Sequence, residues 1–313
     1  MDMEDYPKTT IEFEQRFSTE EACQKYLAKI RWPEGFCCPR CGNRKAWITK
    51  RGLYRCKNCD YQVSITSGTI FQGTRKPLQL WFHAMWYITS QKNGVSAMGL
   101  KQVLGLNRYE TVWIWLHKLR RAMVRPDRDC LSGIVEIDET YIGGKKAGKR
   151  GRGAIGKSLV LVAVEDKGEH FGRIRLHRIN DASAESLMPA VQKSVKTGSL
   201  IRTDGWSGYT QLPSKGYKHI VVRKNAEIGD NLLPLANRVV ALLKKWLVGT
   251  HQGSVHSSHL DYYLDEFTFR FNRRNSRYRG KLFYRLIQQA VTIEPVIAKN
   301  IRGGKLDKLN HNI

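Results

Sequence analysis

Apolar residues recur at helical spacing through the first third of the chain, then switch abruptly to alternation. Leu80, Trp81, Ala84 and Met85 form one stripe, and Val112, Trp113, Leu116 and Leu119 form another. Such stripes, at positions i, i+1, i+4 and i+5 or i+7, predict helices that bury one face. Three helical pieces follow: "PLQLWFHAMWYITSQ", "SAMGLKQVLGL" and "ETVWIWLHKLRRAM". An earlier helix is expected in "TEEACQKYLAKIRW", with Thr19 at its N-cap and Glu20 and Glu21 in its first turn. Beyond residue 133 the pattern becomes that of strands, at 134–140, 158–166, 173–179 and 199–203, with a short one near 219–222. A helix at 182–195 precedes the fourth strand, and two more are expected near 236–247 and 259–270. Three consecutive strands followed by helix–strand alternation predict an α/β unit with a mixed sheet flanked by helices.

The cysteines add a second module. Cys38 and Cys41 stand two residues apart, Cys56 and Cys59 likewise, with 14 residues between the pairs. Each C-x-x-C turn aims two thiolates at one tetrahedral ion, so this spacing predicts a zinc ribbon, with "RGLYRC" on the hairpin that carries the second pair. Cys23, Cys37 and Cys130 lack partner spacing and read as packing residues.

The last two helical pieces of the first third are joined by "GLNRY", a short glycine-containing turn of the kind that links a helix-turn-helix. In that arrangement Lys118, Arg120 and Arg121 would meet phosphates or base edges, and any compact three-helix domain is the plainer reading. Charge favours the first. Of 313 residues, 53 are Lys or Arg and 28 are Asp or Glu, a formal charge of +25. That field favours a polyanion, double-stranded DNA foremost. The longest apolar run, "LVLVAV", is far too short to span a bilayer, and "MDMEDYPKTT" lacks the layout of a secretory signal. No membrane is therefore expected as a partner, and a reducing cytoplasm is the expected compartment. The loop "GGKKAGKRGRGAIGK" holds Lys145, Lys146, Lys149, Arg150 and Arg152 among glycines, and "RFNRRNSRYRGK" holds Arg270, Arg273 and Arg274 among aromatics; both suit DNA backbone contacts.

Within this cationic chain two acids stand at strand ends. Asp138 lies in "VEIDETYIGGKK" and Asp204 in "IRTDGWSGY". Asp before Gly commonly caps a turn. Two carboxylates that converge across neighbouring strands also suit Mg²⁺, which needs one or two carboxylates plus phosphate oxygens. Alternation puts Glu136 on the strand face of Asp138 and points Glu139 the other way. Trp206, Tyr209 and Trp246 read mainly as core aromatics. No H-E-x-x-H or G-x-S-x-G signature competes.

The order of zinc ribbon, "IDETYIGG", "TDGWSGY", "LLKKWLVGTHQGSV" and "HLDYYLDEFTFRFNRR" resembles bacterial insertion-sequence transposases that join an N-terminal zinc ribbon to an integrase-like, RNase H-fold catalytic domain. The resemblance covers roughly 20–285. It implies a Mg²⁺-dependent enzyme that binds element ends, cleaves DNA and transfers strands as a homo-oligomer, with Asp138 and Asp204 as the first two members of an acidic triad. The third member is expected on the helix "ANRVVALLKKWL". There Leu242 occupies the aligned position, Asn237 is the nearest oxygen donor, and His251 and Glu266 are rivals, although Glu266 also suits an i, i+4 pairing with Arg270. Lys244 and Lys245 on that helix suit phosphate contacts. The expected domains are a helical lead-in at 1–30, the ribbon at 31–64, a helix-turn-helix-like domain at 65–124, a linker at 125–133, the catalytic domain at 134–285 and a basic tail at 286–313. The alternatives are a DNA-binding regulator with an inactive nuclease fold and a nuclease that hydrolyses without strand transfer.

Overall fold

The computed structural model describes residues 4–125, 128–143, 157–168, 170–223, 231–253 and 255–304. The chain forms two compact units, one from residues 1–125 and 275–313, the other from 126–274.

In the first unit, helices α1 (Thr10–Arg16) and α2 (Glu20–Arg31) each begin at a threonine whose hydroxyl accepts a backbone N–H from the first turn: Thr9 from Glu12 and Thr19 from Ala22. A small antiparallel sheet follows, made of β1 (Ala46–Ile48), β2 (Tyr54–Cys56) and β3 (Gln62–Val63) in that order. Then come α3 (Leu78–Ser90), α4 (Ala97–Val103) and α5 (Tyr109–Arg121). The five-residue turn from Leu104 to Arg108 between α4 and α5, with Gly105 at φ +61°, is the helix-turn-helix connection that the sequence suggested.

The second unit carries a five-stranded mixed sheet in the order β6-β5-β4-β7-β8. Strands β4 (Ile134–Ile142), β5 (Ser158–Asp166) and β6 (Phe171–Ile179) form an antiparallel meander; β7 (Leu200–Thr203) and β8 (Lys218–Val221) extend the sheet in parallel from β4. This is the RNase H-like layout. Helix α6 (Ala184–Ser194) covers one face, where Leu187, Met188 and Val191 meet Val135, Ile137, Leu161 and Ile201. The other face is covered by α7 (Pro234–His251) and α8 (Leu260–Asn272), whose Val239, Leu243, Leu264 and Phe267 meet Val160, Val162 and Ile174. Strand β5 is buried on both faces, so it reads as the unbroken apolar run "LVLVAV".

Two segments depart from expectation. Residues 275–304 return to the first unit: α9 (Arg279–Ala290) lays Phe283 against Phe13, Phe17, Phe82 and Trp86, and α10 (Ala298–Arg302) packs Ile301 with Ile114. The expectation placed 275–285 in the catalytic domain and a basic tail at 286–313; apolar Leu282, Phe283, Leu286 and Ile287 on one helix face explain the difference. The expected linker is also packed, since from residue 128 onward it lies on the second unit. Leu131 bridges to Val195, Arg173 donates to the Cys130 carbonyl, and Arg175 donates to that of Asp129.

A candidate metal-dependent DNA-processing site

The sheet register brings the two strand-end aspartates together. Parallel pairing of β4 with β7 matches Ile134 with Leu200, Val135 with Ile201 and Glu136 with Arg202. Continued two residues past the last pair, that register sets Asp138 opposite Asp204, which lies one residue beyond the end of β7. Asp138 is half-buried and Asp204 exposed, so solvent reaches the pair. Local hydrogen bonds orient both: Asp138 Oδ1 accepts the Glu139 N–H at 2.8 Å, and Asp204 Oδ1 accepts that of Trp206 at 3.0 Å. Gly205, at φ +82°, lets the chain turn directly after Asp204; a Cβ there would meet Val221 Cγ1 at 2.5 Å.

Tyr209 is fully buried in the core on the α6 face of the sheet, and burial, then Glu139, Asp138 and Asp204, hold its phenol well above its usual range. Two carboxylates near one point of a strongly basic protein are the kind of donor that a hard divalent cation takes.

The sheet face that carries Asp138 also anchors α7. Glu136, 3% exposed, accepts the Leu235 N–H at 2.8 Å and the Ala236 N–H at 3.0 Å, so its carboxylate caps the uncapped start of that helix. Burial outweighs these bonds and raises the Glu136 carboxyl above its usual value. The cap joins the central strand to the helix that carries Asn237 and Lys244, which are seven residues, or about two turns, apart and so share a helix face. Lys244 feels Asp138, while burial and the neighbouring Lys157 lower its ammonium below the usual value. Asn237 is exposed and donates to the Asn231 side chain at 2.7 Å. Leu242 packs against the core, which leaves no polar group at that position.

The other site candidates are placed elsewhere. Glu266 is fully buried and bonds Arg270 at 2.7 Å on α8, over the edge strand β6. His251 stacks edge-on against Trp246 and Tyr263. Neither belongs to a metal-holding group of three or more side chains among the described residues; the four cysteines do. Their Sγ atoms lie within 4.8 Å of one another, with Cys38 and Cys59 at 3.6 Å and Cys41 and Cys56 at 3.6 Å. A tetrahedral zinc with Zn–S bonds of about 2.3 Å separates its sulfurs by roughly 3.8 Å, so the four thiols fit the structural ion.

Several basic residues expected at DNA have partners within the chain. Arg120 is 1% exposed within α5, because α5 is covered on nearly every side. Arg270 pairs with Glu266, Arg273 lies over the Phe269 ring at 4.2 Å, and Arg274 donates to the carbonyls of Phe171 and Phe271. Lys118 donates to the Ile70 carbonyl at 3.1 Å, Arg121 is half-buried, and Lys244 and Lys245 are exposed. Lys145, Lys146, Lys149, Arg150 and Arg152 lie outside the described residues. Sequence reasoning missed Glu136 as a helix anchor; its shared strand face with Asp138 was the available signal.

Residues 18–62 match the model of a transposase zinc-ribbon domain, and residues 130–272 match that of the ISXO2-like transposase domain. The chain belongs to the insertion-sequence transposases with an N-terminal zinc ribbon. Over 279 residues it is 28% identical to an uncharacterized protein in transposable element ISH50 of Halobacterium salinarum, covering 81% of this chain and 91% of the relative. The family is one of DNA-processing enzymes, and the transposase domain coincides closely with the second structural unit. Among the described residues no helix is long and apolar enough to cross a membrane.

Proposed function

We propose that this transposase binds the ends of its element and uses a divalent metal on Asp138 and Asp204 to cut DNA and join a 3′-hydroxyl to a target strand. The observation that supports the reading is the parallel β4–β7 register, whose continuation runs to half-buried Asp138 on one strand and exposed Asp204 just past the other. Asp138 and Asp204 would supply the oxygen ligands for Mg²⁺. When bound, the ion polarises the attacking water or hydroxyl and offsets charge on the departing oxygen. Lys244 is set beside Asp138 to hold a phosphate of the bound strand. Asn237 shares its helix face and is the polar donor that α7 offers as a third member. Glu136 positions that helix rather than touching DNA. The ribbon and the first unit's helices bind DNA, a structural Zn²⁺ holds the ribbon, and the protein acts in the cytoplasm. Two element ends need two such centres, so the working form is a dimer or larger assembly on DNA.

The test uses the purified full chain, a labelled element-end duplex and a plasmid target, with and without Mg²⁺. Joined products that require Mg²⁺ are expected. Cleavage without joining would make the protein a nuclease, and binding without cleavage would make it a DNA-bound regulator.

A further inference from the structure

A cleft of about 490 Å³ opens within the first unit, between the segment Gly73–Lys76, the α4–α5 turn and one side of α5. Four cations line it: Arg75, Lys76, Arg108 and Lys118. No acid lines it among the described residues. The acid in the first turn of α5, Glu110, is already paired with Arg302 at 2.5 Å. Four like charges converging on one space repel each other unless an anion enters, and the repulsion is strongest where water is partly excluded.

The walls of the cleft are held in place before any ligand arrives. Trp81 and Trp115 stack at 4.0 Å, tying α3 to α5. The Trp81 indole N–H donates to Thr74 Oγ1 at 2.9 Å, which fixes the start of the Arg75–Lys76 segment. Lys118 donates to the Ile70 carbonyl at 3.1 Å, which ties α5 to the chain just before that segment. Burial lowers the Lys118 ammonium below its usual value, the mark of a cation held partly out of water. Arg108 is the N-cap of α5 and makes no side-chain cap bond, so the first N–H groups of the helix also face an uncapped end beside the cleft.

Resting on the DNA-binding reading above, we propose that this cleft seats the phosphodiester backbone of duplex DNA, with exposed Arg75, Lys76 and Arg108 and half-buried Lys118 as its cationic contacts. The interface of the helix-turn-helix thus runs along one side of α5, from Arg108 to Lys118, and includes a segment ahead of α3. Arg120, on the buried side of that helix, is not part of it. Backbone contacts carry no sequence information by themselves, so the cleft sets register and affinity while other groups read bases.

The test is the triple variant Arg75→Ala, Lys76→Ala, Arg108→Ala in the full chain, all three positions being exposed. Binding to an element-end duplex and to an unrelated duplex is measured by fluorescence anisotropy across a salt series. For the variant, affinity should fall roughly 10- to 100-fold near 0.1 M salt, equally on both duplexes, and the slope of log K against log salt should become shallower by about two to three. An unaltered thermal melt confirms that the fold survives, and Lys118→Gln should lower affinity in the same sequence-independent way. Unchanged affinity and slope would overturn the assignment. A loss confined to the element-end duplex would also overturn it, since that is base readout. If the unmodified protein binds neither duplex, the DNA-binding reading itself fails, a separate result from failure of the cleft.

Discussion

Asp138 and Asp204 each contribute one negative charge to a place where the surrounding protein is cationic. Replacing either with Asn removes a strong oxygen ligand and keeps the side-chain shape. Asp138→Asn and Asp204→Asn should therefore reduce strand cleavage to background in a Mg²⁺ assay, while DNA affinity in a gel-shift titration stays equal or tightens. Full activity in either variant would remove that residue from the site. Lys244 makes a different demand, because its neighbours are Asp138 and Lys157 and it is exposed toward solvent. Lys244→Met should slow cleavage under single-turnover conditions by more than it weakens binding, since one of many phosphate contacts is lost. At this scale the sequence was readable where chemistry sits on one residue: two acids after β-branched runs, four cysteines in two knuckles. It was unreadable where a side chain's partner is distant backbone. Glu136 finds its amides about 100 positions away at the start of α7, and no local pattern announces that. Glu266 and Arg270 lie four apart, and their pairing was legible for that reason.

Elements are held by a few buried polar contacts as well as by the apolar faces. Glu165, at the end of β5, accepts the Ser132 and Arg173 N–H groups and the Arg173 guanidinium. Although burial opposes it, this bonding holds the carboxyl down to about 2, from 4.5 when unperturbed. A depressed carboxylate stabilises the fold above its unfolded pKa and loses that contribution as pH falls through the folded one. Stability of the second unit should thus drop between about pH 4.5 and 2, by about 2–3 kcal/mol from this group. Glu165→Gln should lose most of that pH-dependent component, measured by urea unfolding at a series of pH values. Helix α9 shows the limit of reading elements from local composition. Its apolar positions are helically spaced, yet the arginines just ahead of it make the stretch look like a basic DNA-contacting tail. The partners that give those positions meaning, Phe13, Phe17, Phe82 and Trp86, are near the other end of the sequence.

For the molecule as a whole, the two units differ in what sustains them. The ribbon has strands of three, three and two residues and little apolar interior beyond Trp32, Phe36 and Tyr54, so its four thiols must supply much of its stability through a metal. A strong chelator should abolish hydrogen-exchange protection at residues 38–63 while strands β4–β8 retain theirs; protection persisting in the ribbon would deny the zinc its structural role. Phe283 at the centre of the aromatic cluster is fully buried. Phe283→Ala should cost about 3–5 kcal/mol in the first unit by denaturant unfolding, with the second unit affected far less.

That aromatic cluster also sets a timetable. A ribosome finishes residue 125 long before it reaches 283, and at roughly 5–20 residues per second the delay is on the order of 10–30 s. During that interval the earliest-made part of the chain lacks the side chain that closes its interior, while the later-made sheet can already assemble. Synthesis order and folding order are thus reversed, and a copy of the gene interrupted anywhere before α9 would leave its first unit unfinished.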